Sequence, residues 1–195
     1  MTESIDIKKE IESIEAELEE KQKTLDKISE LSRDSIRYCA KAINMVHNRN
    51  FKDAAALIEK SGNALADLKR MTSDSYALLM PAQEFAEASI LYNMVSKTKT
   101  ESGHIPNYKE LGISPEAYIL GLMDVVGELK REILDSLRSN EVELAKSYLA
   151  LIEGIFDATR AIRFPESVLP GFRKKQDVAR IQLENAGSDI MRFMK

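Results

Sequence analysis

The sequence predicts an all-α protein, a bundle of about six or seven helices with a long first helix. Apolar residues recur at intervals of three and four along most of the chain, and no segment alternates apolar and polar residues as a strand does. Its 195 residues include only 8 glycines and 5 prolines, a composition typical of helical proteins. At this length one hydrophobic core can form without disulfides, so we expect residues 1–195 to be a single domain.

The first predicted helix is the longest. Isoleucine and leucine side chains step by three and four from Ile7 to Ile28, and only Lys21 interrupts this stripe. Such spacing is typical of helices that pack against other helices in a coiled coil. The same register continues over 32–46 with mostly small residues, which would let another helix approach closely. The polar residues 48–50 end the helix.

Caps and breakers divide the rest of the chain. Ser114, followed by Pro115 and Glu116, is a helix-start signature. Pro81 predicts either a first turn or a kink, and Lys97–Pro106 is the best candidate for a loop. The further predicted helices cover 51 to about 71, 76–94, 115 to about 137, about 141–162, and a last one from after Pro170 towards Lys195.

Cysteine content, hydropathy and charge predict the compartment in which the protein occurs. The single cysteine, Cys39, is interpreted as a small buried helix residue, which is typical of a reducing compartment. No window approaches the roughly 20 apolar residues that span a bilayer, and the N-terminus lacks an apolar leader. We therefore expect a soluble, cytoplasmic protein with no membrane partner. The net charge of −4 argues against an overall basic surface.

Two apolar segments carry acids in pairs. A spacing of three or four residues places both acids of a pair on one side of a helix, about one turn apart. Helices this apolar are expected to be buried, where an unpaired carboxylate is costly. In each segment two acids are the only charged residues: Glu84 and Glu87 in YALLMPAQEFAEASILYNM (76–94), Asp124 and Glu128 in AYILGLMDVVGEL (117–129).

We predict that the two pairs face each other around a divalent cation. A ligand set made only of oxygen suits Mg²⁺ or Mn²⁺ rather than zinc. Spacing alone leaves another interpretation open, in which the acids are exposed or pair with arginines of other helices. His47 and His104 do not complete the Glu-x-x-His pattern of di-iron bundles, and both are interpreted as exposed residues without a chemical role.

The motifs favour metal-assisted hydrolysis. The chain has no Gly-x-Ser-x-Gly, no P-loop and no Gly-rich dinucleotide fingerprint. A carboxylate-held metal ion can activate water and stabilise the charge of phosphodiester hydrolysis without a histidine base.

Three segments resemble the translin family, and specifically its translin-associated factor X (Trax) branch. The likeness extends over essentially the whole chain, from the long first helix to the last one. The segments that carry it are LSRD at 31–34, QEFAEA at 83–88 and YILGLMDVVGELKR at 118–131.

The resemblance implies a function for the acids. In Trax-type proteins the acids at the matching positions bind Mg²⁺ and are required for endoribonuclease activity, whereas translin itself lacks most of them. The expected activity is Mg²⁺- or Mn²⁺-dependent cleavage of single-stranded or short duplex RNA. The residues matched here, as metal ligands and catalytic residues, are Glu84, Glu87, Asp124 and Glu128.

The resemblance also implies an assembly. Helical subunits would close into a hollow shell, commonly an octamer, with RNA or single-stranded DNA taken inside, and a lone chain of this kind is expected to form homo-oligomers. Lys and Arg side chains near the metal should hold the phosphates. Arg131, one turn beyond Glu128, is best placed, and Arg33, Arg37 and Lys41 lie on successive turns of the first helix.

Two other functions remain open from the sequence. One is a non-catalytic, translin-like RNA- or DNA-binding protein in which the acids are structural. The other is an all-α, Mg²⁺-dependent nucleotide pyrophosphatase, which also uses clustered helix acids.

Overall fold

A computed structural model of the chain describes residues 2–96 and 104–194, with side chains from residue 7 onward. Within those ranges the chain is all-helical, which confirms the predicted class and the long first helix. The predicted loop at 97–106 lies mostly outside the described residues. The six helices are α1 (Thr2–His47), α2 (Phe51–Met71), α3 (Ser75–Ser96), α4 (Pro115–Arg138), α5 (Val142–Thr159) and α6 (Phe172–Phe193).

The helix ends follow local chemistry. Ser114 caps α4 by accepting a hydrogen bond from the backbone N–H of Ala117, and Pro115 occupies the first turn, as predicted. Asn50 caps α2 through the N–H of Asp53. Pro81 lies within α3 rather than in its first turn, so the helix continues past a residue that cannot donate a backbone hydrogen bond.

The helices pack around α3 and α4. Helix α1 contacts α2 and α3, whereas α4 contacts α3, α5 and α6. Their apolar faces form one main core, with the largest fully buried side chains at Leu65, Leu68, Ile90, Leu91, Leu120, Leu129, Ile133, Tyr148 and Ile152.

Helix α1 extends well beyond this core. Residues 7–27 are all exposed, and the apolar stripe includes Ile7 at 65% and Leu18 at 58% of full exposure. The second half of α1, by contrast, buries Cys39, Ala42 and Val46 completely. Its small residues therefore pack as the sequence predicts. No helix in the described part of the chain is long and apolar enough to cross a membrane.

Candidate active site

The site lies where α3 and α4 cross. Gly121 of α4 lies directly against α3, because a Cβ at this position would stand 2.5 Å from the carbonyl oxygen of Gln83 and 2.7 Å from the Cβ of Ala86. Glu84 and Glu87 occupy this part of α3, and Asp124 follows one turn after Gly121 on α4. The absence of a side chain at Gly121 therefore allows the two acid pairs to approach each other.

The four acids share one electrostatic environment. Burial raises the pKa of Glu87 to about 8, and the negative charges of the other three acids add to this shift. The pKa of Glu84 is also raised, first by burial and then by the charge of Asp124. Glu87 is a buried residue, with 8% of its surface exposed. Neighbouring negative charges in a poorly solvated site favour the protonated forms of both glutamates.

Asp124 has two protein partners. Its Oδ1 pairs with the ammonium group of Lys175 on α6, and its Oδ2 accepts a hydrogen bond of 2.6 Å from the side-chain amide of Gln83. The charge of Lys175 also lowers the pKa values of Glu84 and Glu87, although burial and repulsion outweigh it. A lysine from the last helix therefore balances part of the negative charge.

Glu128 is held by His47, the last residue of α1. The Nε2 of His47 lies 2.6 Å from Oε2 of Glu128, and Nδ1 lies 2.6 Å from Oε1 of Glu132. Burial by itself would lower the pKa of His47, but the two carboxylates outweigh it and raise the pKa to about 9. The hydrogen bond from His47 lowers the pKa of Glu128.

The sequence-based interpretation of His47 as an exposed residue is wrong. Its side chain is only 3% exposed, and it contacts one of the predicted metal ligands. The interpretation of His104 is correct as to exposure, because its side chain is 68% exposed and pairs with Glu110.

The donor set fits a hard divalent cation by its chemistry. It offers carboxylate oxygens only, and their mutual repulsion adds to the effect of burial, which is the larger cause of the raised pKa values of Glu84 and Glu87. Two of the acids also contact cationic or basic side chains, since Asp124 pairs with Lys175 and Glu128 contacts His47 through Oε2. Over 2–96 and 104–194, no three His, Cys, Asp or Glu side chains are grouped as a ready-made metal site.

The predicted RNA-binding residues lie at the surface. Arg131 is exposed, and its charge influences both His47 and Glu128, so it is close to the acids. Arg33, Arg37 and Lys41 are exposed on α1. The guanidinium of Arg37 pairs with Asp34 at 2.8 Å and lies over the ring of Tyr38.

Sequence reasoning missed the cations that contact the acids. Ile43 lies seven positions after Ile36, and His47 lies four positions after Ile43, which places His47 beside the buried face of α1. This spacing was the available signal that His47 is not exposed. Lys175 lies 51 positions after Asp124, on another helix, and no local pattern links the two residues.

Comparison with known proteins found no matching family model. An uncharacterized protein of Methanocaldococcus jannaschii is 33% identical over 183 residues, which cover 91% of this chain and 80% of that protein. Among solved structures, AfC3PO is 26% identical with a TM-score of 0.80, covering 94% of this chain and 96% of that one.

Two further structures have the same fold. The AfC3PO–duplex RNA complex aligns at a TM-score of 0.78 and 24% identity, with 94% of this chain and 96% of that one covered. The apo-NeC3PO structure aligns at a TM-score of 0.77 and 24% identity, with 92% and 96% covered.

Proposed function

Because this chain belongs to the translin family, we propose that it is a Mg²⁺- or Mn²⁺-dependent endoribonuclease of the Trax-like kind. The observation that carries the proposal is the acid cluster at the α3–α4 crossing. Four carboxylates from two helices influence one another there, with Glu87 buried and the other three partly buried, and a divalent cation would relieve their repulsion.

The acids have a defined chemical role in this proposal. Glu84, Glu87, Asp124 and Glu128 hold the cation through their oxygens. The bound metal supplies Lewis-acid chemistry for hydrolysis of a phosphodiester bond. Lys175 remains 27% exposed, so its ammonium group can also pair with a backbone phosphate of the substrate.

RNA is the substrate class that we propose. A structural relative, AfC3PO, has been solved in a complex with duplex RNA. Arg131 lies near the acids, and with Arg33, Arg37 and Lys41 it offers exposed positive charge for phosphates. Contacts with phosphates do not read bases, so we expect both single-stranded and short duplex RNA to bind. For the same reason we expect single-stranded DNA to bind as a ligand.

We further propose that the active protein is a homo-oligomer, with a closed octamer as the expected form. The exposed apolar stripe of α1 supports this, because a helix with Ile11 at 50% and Leu18 at 58% exposure gains stability when another helix covers it.

One observation favours a second candidate, a non-catalytic RNA-binding protein. Asp124 and Glu128 are already paired with Lys175 and His47. In a purely structural site such pairs would be enough to stabilise the two carboxylates. The two candidates differ in one measurable property, which is cleavage that requires a divalent cation.

The test uses Asp124→Asn, which removes one carboxylate charge and keeps the shape of the side chain. We expect cleavage of a labelled RNA in Mg²⁺ or Mn²⁺ to fall on the order of 100-fold or more, with RNA binding retained. Asp135→Asn is the matched control, because Asp135 lies on the same helix and pairs with Arg138 away from the acids.

Three outcomes would contradict the proposal. Cleavage by the wild-type protein that persists in EDTA would exclude a metal role. RNA binding without products in any cation would favour the non-catalytic candidate. Hydrolysis of nucleotides without RNA cleavage would favour a pyrophosphatase.

A further inference from the structure

A chain of buried polar contacts runs from the acid cluster into the core behind it. It begins at Glu128, passes through both ring nitrogens of His47, and continues to Glu132. The His47 side chain is 3% exposed and that of Glu132 is fully buried. Buried polar groups are costly unless each has a partner, so this arrangement is a built feature of the fold.

Arg49 closes the far end of the chain. Its Nη2 lies 2.6 Å from Oε2 of Glu132, an ion-pair distance. Arg49 has a φ of 60°, in the left-handed region that residues with a side chain rarely adopt. This strained turn after α1 directs the guanidinium at Glu132.

We infer that His47 is a positioning residue that fixes the Glu128 carboxylate in the acid cluster, while Glu132 and Arg49 fix the imidazole ring. The inference rests on the proposed function, because Glu128 is there one of the groups that hold the cation. A glutamate has three rotatable side-chain bonds, and a hydrogen bond from a rigid, buried ring removes much of that freedom. Partners of this kind orient the groups that ligate a metal.

A purely structural role would look different in experiment. In that case His47 would matter because it satisfies the buried Glu132 and joins α1 to α4, and its contact with Glu128 would be incidental. Two amide substitutions separate the two contacts. In His47→Gln the side-chain nitrogen can reach the position of Nε2 and donate to Glu128. In His47→Asn it can reach only the position of Nδ1, beside Glu132.

The measurement is Mn²⁺ binding to the whole protein by titration calorimetry, together with RNA cleavage and thermal unfolding. We expect His47→Asn to weaken Mn²⁺ binding by about 10- to 100-fold, the usual effect of losing a partner of a metal ligand. We expect His47→Gln to weaken it less than about 10-fold, since it keeps the contact with Glu128. Cleavage should follow the same order.

Asp189→Asn is the control for loss of stability alone. It breaks the Lys130–Asp189 ion pair between α4 and α6, which does not involve the acid cluster. This variant should unfold at a lower temperature and bind Mn²⁺ as the wild type does. Crystal structures of the two His47 variants without metal should show the Glu128 carboxylate in place in His47→Gln and rotated in His47→Asn.

Several results would overturn the inference. Equal Mn²⁺ affinity in the wild type and both variants would do so, and so would a larger loss in His47→Gln than in His47→Asn. These results leave the nuclease proposal standing if the wild-type protein cleaves RNA. Conversely, Mn²⁺ binding that depends on His47 in a protein that cleaves no RNA would support the inference and contradict the nuclease.

Discussion

Glu87 carries the most costly negative charge of the acid cluster. The residue is 8% exposed, and burial together with the neighbouring acids raises the pKa of its carboxyl group from an ordinary 4.5 to about 8. Between these two values the folded protein binds a proton that the unfolded chain does not. Stability therefore falls as the pH rises from about 4.5 to about 8, and the loss is complete above the folded pKa.

Replacement of Glu87 by glutamine should remove this dependence. In EDTA we expect Glu87→Gln to match the wild type near pH 4.5, where Glu87 is largely neutral. At pH 9 we expect it to be more stable by on the order of 1–3 kcal/mol. Urea unfolding at the two pH values measures the difference. Glu153→Gln, at an exposed position on α5, is the control. If the free energy of unfolding changes equally with pH in the wild type and in Glu87→Gln, the raised pKa is wrongly assigned to Glu87.

Among the helices, the α3–α4 crossing determines the geometry of the site. The helices approach closely because Gly121 adds no side chain between them, and a Cβ there would stand 2.5 Å from the backbone oxygen of Gln83. Backbone atoms cannot move away as the end of a flexible side chain can. The distance between the two acid pairs therefore depends on this glycine.

Gly121→Ala should force the two helices apart. We expect a loss of about 1–3 kcal/mol in the free energy of unfolding, as in other overpacked cores, together with weaker Mn²⁺ binding. Gly127→Ala on the same helix is the matched control, because a Cβ there meets nothing within 4 Å. It should stabilise the helix by up to about 1 kcal/mol through propensity alone. Similar effects of the two substitutions on unfolding would argue against the close approach.

For the molecule as a whole, the first half of α1 is the least explained by the packing of one chain. The apolar stripe from Ile7 to Leu25 is exposed, although the same helix buries its small residues further along. A single bundle gains nothing from this stripe, whereas contact between copies of the chain would bury it.

The assembly can be tested on this stripe. We expect Ile14→Glu combined with Leu18→Glu to reduce the molar mass measured by light scattering after gel filtration, because charges would then face an apolar contact. Ser13→Glu combined with Ala16→Glu is the control, since it adds the same charge to α1 outside the stripe. An unchanged mass in the stripe variant would show that α1 does not form the contact.

The helical class, the cap at Ser114 and the burial of Cys39 followed from the sequence alone. The position of each acid pair on one side of its helix followed as well, because helical geometry relates residues three and four apart wherever the helix lies. The predicted boundaries of α2 and α4 agree with the structure to within one or two residues. All of these depend on interactions between near neighbours in the chain.

The partners of the acids depended on the tertiary structure. Asp124 meets Lys175 and Glu128 meets His47 only because α6 and the end of α1 pack beside α4. Spacing along one helix does not specify which side chain another helix brings to it, and packing in three dimensions decides this. The sequence thus determined which residues can act together within a helix, and the fold determined which charges oppose them.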